Sequence, residues 1–279
     1  MGQDEQLAWE ARAGKPAAAA AFAAALLSVA AGVYLPAAIG SPDNDRELLV
    51  SADRDSGHFV AAGAVLALSL LLVIPPLLYL YRAARHREPR LTPPAAVLAV
   101  LGAAILAVAT MLRQLELIDI ARDFTPKIGA SAETIEEAAE DAIRDGRSTA
   151  REGVLFGASI ALAFAFVMIS LNAMRSGLLS RFMAILGIFV GVLLVIPLGV
   201  QILQLYWFVA LGLLFLNRWP GGRGPAWQTG EATPWPGAAQ QREEIDRRRA
   251  EREQDEAPEP DPDPETPRRA SRKRKKKRR

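Results

Sequence analysis

FMAILGIFVGVLLVIPLGVQILQLYWFVALGLLFL, residues 182–216, runs for 35 residues without a charged side chain. As one helix it would be about 53 Å long at 1.5 Å per residue, too long for a hydrocarbon core of about 30 Å. Pro197-Leu198-Gly199 is the natural break, because proline removes a helix donor and glycine permits a turn. The stretch therefore reads as two short spans joined by a tight hairpin, about 182–198 and 200–216.

Four more apolar runs lie upstream, at about 16–39, 58–81, 93–112 and 153–174. Runs of this length belong to a bilayer rather than to a water-soluble core. The first is read as a retained span and not a signal peptide. It is about 24 residues long and preceded by Asp4, Glu5 and Glu10, whereas a signal's apolar region has about 7–15 residues behind a basic start. The expected fold is all-α: a polytopic transmembrane bundle of six spans, with residues 1–15 as a short leading segment and 218–279 as a disordered charged tail.

Of the 279 residues, 51% are hydrophobic and 23% charged, and the charges lie between and after the apolar runs. The net charge of +2 hides segments of opposite sign. Arg12 and Lys15 precede span one; Arg82, Arg85, Arg87 and Arg90 follow span two; Arg175 and Arg181 follow span four; Arg218 and Arg223 follow span six. Residues 40–57 carry two Arg against five acids, and 113–152 carry six basic residues against ten acids. All the basic flanks fall on one face of a six-span layout, which the positive-inside rule makes cytoplasmic together with both termini. Five spans would put the basic tail outside.

Within 113–152, Ser131 is a good N-cap and Glu133, Glu136 and Glu137 occupy early turns. Ile135, Ala138, Ala139, Ala142 and Ile143 share one helical face. This predicts an exterior amphipathic helix at about 131–145, lying on the membrane surface or on the outer ends of the spans. Its acids read as a solvated face rather than a cation site. Residues 256–267, EAPEPDPDPETP, form an extended proline-acid spacer, and the last twelve residues contain ten basic ones. Such a tail buries too little apolar area to order itself.

No ionisable residue lies deep in the six spans, which argues against proton- or ion-coupled transport. With no cysteine and only His58 and His86, thiolate sites, zinc-protease motifs and histidine triads are excluded. No cofactor or metal motif is present, and no catalytic residue is expected. His58, at the mouth of span two, reads as an interfacial residue. Pro75-Pro76 inside span two is a packed kink or a hinge lining a cavity. Arg113, Gln114 and Glu116 at the outer end of span three, with Gln201 and Gln204 at the outer start of span six, form a candidate polar pocket; the bland alternative is interhelical hydrogen bonding. The basic run Arg272, Lys273, Arg274, Lys275, Lys276, Lys277, Arg278 and Arg279 is a candidate binder of anionic lipid, with a cytoplasmic partner as its rival. No interleaved aromatics accompany it that would read nucleic-acid bases. The partner the whole chain requires is the lipid bilayer.

RSGLLSRFMAILGIFVGVL, residues 175–193, resembles a pattern common in an uncharacterised family of multi-pass bacterial membrane proteins, through Arg175, Ser176, Gly177, Leu178, Leu179, Arg181 and Gly187. That family carries proline where this chain has Ser180. The span layout is similar over about 16–217. The resemblance implies a helical membrane fold and a bacterial inner membrane, and no activity.

Two function classes follow. One is a non-enzymatic structural, assembly or interaction factor with a lipid- or partner-binding tail. The other is an uncoupled transporter or lipid-handling protein with an outward pocket between spans three and six. The arginine distribution predicts that reporter fusions after residues 90, 140, 178 and 230 read inside, outside, inside and inside. An outside signal at 230 would overturn the six-span layout.

Overall fold

A computed structural model describes residues 2–88, 93–124, 131–196, 201–220, 222–235 and 246–247, with the side chains of all but 132 and 201. The Pro197–Gly199 break and the basic run 268–279 lie outside the described residues. The chain divides into two units, Met1–Trp235 and Pro236–Arg279.

The described residues are helical, with no strand among them. Helix α1 (Gln3–Ile39, 37 residues) begins well before the expected start of span one, so the leading segment is part of the span's own helix. Asp4 and Glu5 stand in its first turn, where the helix dipole favours acids, and the Gly2 amide donates to the Glu5 carboxylate at 3.1 Å. Helix α2 (Asp45–Arg54) was not foreseen; the Asn44 side chain caps it by accepting from the Glu47 amide. Helices α3 (Ser56–Leu72) and α4 (Ile74–Arg87) together make the second long apolar element, jointed at Val73. Pro75 and Pro76 have no N–H to offer Leu71 and Leu72, so the regular ladder stops and the Val73 amide falls back on Leu70 O at 3.3 Å.

Helices α5 (Pro94–Asp123, 30 residues) and α7 (Thr149–Arg175, 27 residues) follow, separated by α6 (Ala132–Gly146). Four helices, counting α3 and α4 as one, are therefore long and apolar enough to cross a membrane. Helices α8 (Arg181–Leu193, 13 residues) and α9 (Gln201–Phe215, 15 residues) are shorter. At 1.5 Å per residue they reach about 20 and 22 Å, less than a hydrocarbon core of about 30 Å. A one-turn helix, α10 (Ala226–Thr229), lies in what composition had assigned to the disordered tail.

The surface carries the membrane signature. Phe156, Phe164, Phe182, Phe189 and Ile202 are each more than half exposed, with many other large apolar residues beside them. Water would not tolerate so continuous an apolar surface, and lipid covers it without penalty. The interior is built instead from small residues: Ala17, Ala18, Ala21, Ala24 and Ala25 of α1 are buried, as are Ala99, Ala103 and Ala107 of α5. Small side chains let helix backbones approach closely where no hydrophobic drive exists between helices.

A close approach joins α5 to α7 at Gly102, where an added Cβ would stand 2.8 Å from the Leu162 backbone nitrogen. The turn after α7 is a second demanding place. Gly177 has φ +75°, and the Leu178 amide reaches back to Ala173 O at 2.8 Å, closing the helix as a left-handed C-terminal cap. Ser180 then caps α8 with φ −64°, a value proline also adopts, so either residue fits the position where the resembling family carries proline.

The end of the bundle opposite the arginine-rich one has its own small core. Leu49 and Ala52 of α2, Phe59 of α3, Ile118 and Ala121 of α5, and Ala139 and Ile143 of α6 pack together. Ser131 caps α6 by accepting from the Thr134 amide, and the apolar face of α6 rests on α2 and α5 rather than standing alone.

Gly102→Ala is expected to lower the detergent-phase melting temperature by an amount matching about 1–3 kcal/mol of overpacking. Gly157→Ala, with nothing within 4 Å of its new Cβ, should be neutral.

Candidate functional site

At the end of the bundle that carries α2 and α6, Arg113, Gln114 and Glu116 line one cavity of about 410 Å³ together with Thr110, Arg147 and apolar residues such as Phe59 and Leu66. Gln114 lies across Gly63 of α3. The Glu116 carboxylate is largely engaged: it accepts from the Ser148 amide at 2.9 Å and from Arg151 Nη1 at 3.1 Å, tying α5 to the start of α7. Gln204 is not on this wall, and the Gln201 side chain is not described. Helix α9 packs on α1 and α8, where the buried Trp207 indole donates to Met183 O at 3.0 Å. The cavity is thus lined by α1, α2, α3, α5 and α7 with Arg147, and among the described residues none of α9 stands on its wall. It presents the guanidinium groups of Arg113 and Arg147 and the Gln114 amide beside apolar side chains.

Nearby acids have structural work. The Glu136 carboxylate of α6 accepts from the Asp45 amide at 2.8 Å and the Arg46 amide at 3.3 Å, so it neutralises the N-terminus of α2. His58 pairs with the Tyr34 hydroxyl at 2.7 Å. Among the described residues no group of His, Cys, Asp and Glu is placed to hold a metal ion.

The opposite, basic end holds a polar cluster that the sequence reading missed. Glu10 of α1 and Arg87 of α4 form an ion pair with side chains 3% and 0% exposed. Arg87 Nη2 lies 3.0 Å from Glu10 Oε2, and Nη1 reaches the other carboxylate oxygen. The remaining donors go to Ala83 O at 2.9 Å and twice to Ala226 O, at 3.1 and 2.8 Å. All five guanidinium N–H groups are thereby used. Gln6 donates to Glu10 Oε1 at 2.8 Å, and the Tyr79 hydroxyl donates to Glu10 O at 3.0 Å.

An aromatic layer covers the pair. Trp227 of α10 lies 5.8 Å from Tyr79 in a stacked arrangement and donates its indole N–H to Leu178 O at 2.9 Å. Arg87 and Arg223 both approach the Trp227 ring, at 5.7 and 5.1 Å. Arg223 also donates to Leu214 O at 2.9 Å and to Phe215 O, capping the last carbonyls of α9. The start of α1, the end of α4, the turn after α7 and the segment after α9 therefore meet at one end of the bundle.

Residues 17–216 match the family described as a domain of unknown function (DUF4386). The chain belongs to that family. The match opens one residue after Pro16 and closes at the end of α9, so Arg87 lies within the family domain, whereas Glu10 and Ala226 lie on either side of it. The two flanks of the domain thus converge on one of its own arginines. No curated protein and no solved structure matches the chain.

Two signals could have pointed to this cluster. Gln6 and Glu10 are four residues apart on a helix running into span one, and Trp227 is a large apolar residue stranded in a polar segment. Counting Glu10 and Arg87 only as flanking charges hid their pairing.

Glu10→Ala leaves Arg87 buried without its counter-charge, and should cost about 3–5 kcal/mol of stability. The double variant Glu10→Leu with Arg87→Met should recover most of that loss, read by unfolding in detergent at fixed lipid content.

Proposed function

We propose that this chain is a non-enzymatic structural, assembly or interaction factor of the bacterial cell membrane, with six spans and both termini in the cytoplasm. Its C-terminal tail is a tether that holds anionic lipid or a cytoplasmic partner. One observation carries the reading: the Ala226–Trp227 segment is locked onto Arg87, Glu10 and Leu178 at the end of the bundle that bears the arginine-rich loops. A tail that follows such a mount starts from a fixed point beside the basic flanks of the spans. The same convergence supports an even number of crossings between Glu10 and Ala226, because both ends of that stretch come together. Helices α8 and α9 then go out and return.

A second reading is an uncoupled transporter or lipid-handling protein. The outer cavity of about 410 Å³ favours it, being within the range of about 300–1,000 Å³ usual for small-molecule sites. Its polar wall would be Arg113 and Gln114.

The tail decides between lipid and protein as its target. A peptide of residues 236–279 is expected to bind acidic vesicles and ignore neutral ones. Binding should fall steeply between about 0.05 and 0.5 M salt, as the Debye length shrinks to a few ångströms. Deleting the proline-acid spacer should strengthen binding, because its acids compete for the same basic run. Equal binding to both vesicle types in co-sedimentation would remove lipid and leave a partner.

A further inference from the structure

A groove of about 790 Å³ opens between α1, α4 and the start of α5 at the basic end of the bundle. Its deep part is apolar, formed by Ala13, Pro16, Pro75, Leu78 and Ala96. Its upper part is basic, formed by Arg82, Arg85 and His86. From Pro75 to His86 the wall rises by eleven helical residues, about 17 Å at 1.5 Å each, so the polarity changes along the axis of the bundle. Among the described lining residues none is an Asp or Glu, and the buried Glu10 nearby is matched to Arg87. The two arginines are oriented by aromatic neighbours: Arg82 lies 4.4 Å over the Trp9 ring, and Arg85 donates to the Tyr81 hydroxyl at 3.0 Å. Trp and Tyr at such a level are those that settle where headgroups begin.

We infer that this groove is a binding site for one anionic phospholipid, its acyl chains lying against Pro16, Pro75 and Ala96 and its phosphodiester held by Arg82 and Arg85. Three features select that occupant over a soluble ligand. The apolar part continues into the lipid-covered surface of the bundle; the cationic part sits at the opposite end of the same groove; and the volume is within the range of about 300–1,000 Å³ for small-molecule sites. A soluble phosphate would use the arginines and leave the apolar floor bare. A neutral phospholipid would use the floor and gain little from the arginines. The break at Val73 shapes the groove, because the ring of Pro75 lies on its floor and no regular ladder bond passes behind it. This site is separate from the C-terminal tail and does not depend on what the tail binds.

The test is native mass spectrometry of the full chain in detergent, titrated with phosphatidylglycerol or phosphatidylcholine. The expected result is a single retained phosphatidylglycerol, preferred over phosphatidylcholine by about tenfold or more. Each arginine beside an anionic headgroup changes affinity about fivefold, so Arg82→Gln with Arg85→Gln should weaken phosphatidylglycerol about 25-fold, to the level of the neutral lipid. Both side chains are exposed, so the double variant should elute and melt like the parent. Ala96→Phe should abolish retention with every charge in place. Replacing the eight basic residues 272–279 by Gln should leave the single retained lipid unchanged, which separates this site from the tail. Equal retention of the two lipids by the parent, an unweakened double variant, or displacement by millimolar glycerol phosphate would each overturn the inference.

Discussion

A guanidinium buried beside a membrane bundle has to find an acceptor for each of its N–H groups, and the Arg87 side chain finds them on three separate stretches of chain. Glu10 supplies the counter-charge from α1, Ala83 supplies a carbonyl from α4 itself, and Ala226 supplies one from beyond α9. Each group is expensive to bury alone, and together they leave no unmatched donor. The consequence reaches past local stability. Because the acceptors come from the start, the middle and the end of the unit, satisfying one arginine fixes where both flanks of the family domain sit.

That lock acts on a bundle with little else to hold it. Helices in lipid gain no hydrophobic advantage from touching one another, so α5 and α7 associate through close backbone packing at Gly102, and α1 offers an alanine face to its neighbours. Many large apolar side chains face outward to lipid, while others are buried, among them Trp207, Phe208 and Phe166, which fill the space where α7, α8 and α9 meet. The two ends of the bundle are then finished differently. One end is closed by α2 and α6 with a second small core, and the basic end by Trp227 and the ion pair.

The cavities inherit this division. One lies under α2, between helices, with Glu116 committed to Ser148 and Arg151. The groove at the basic end lies on the flank, lined by prolines of α1 and α4 and by the arginines of α4.

The sequence by itself determined the solvent of this protein. Uncharged runs of about twenty residues read as membrane helices because the requirement is one of length and polarity, and both are local. The RSGLLSR turn and the Ser131 cap were also legible, since capping and turn chemistry involve residues a few positions apart. Which polar residues meet was not legible. Gln114 and Gln204 were expected at one membrane depth but stand on helices that pack against different partners, and depth alone carries no information about azimuth around a bundle. Helix α2 was hidden because its apolar residues, Leu49 and Ala52, matter only once α5 and α6 are there to cover them. Glu10, Arg87 and Ala226 are separated by 77 and 139 residues, and only the tertiary fold, by bringing three chain segments to one end, turned two flanking charges and a carbonyl into one site.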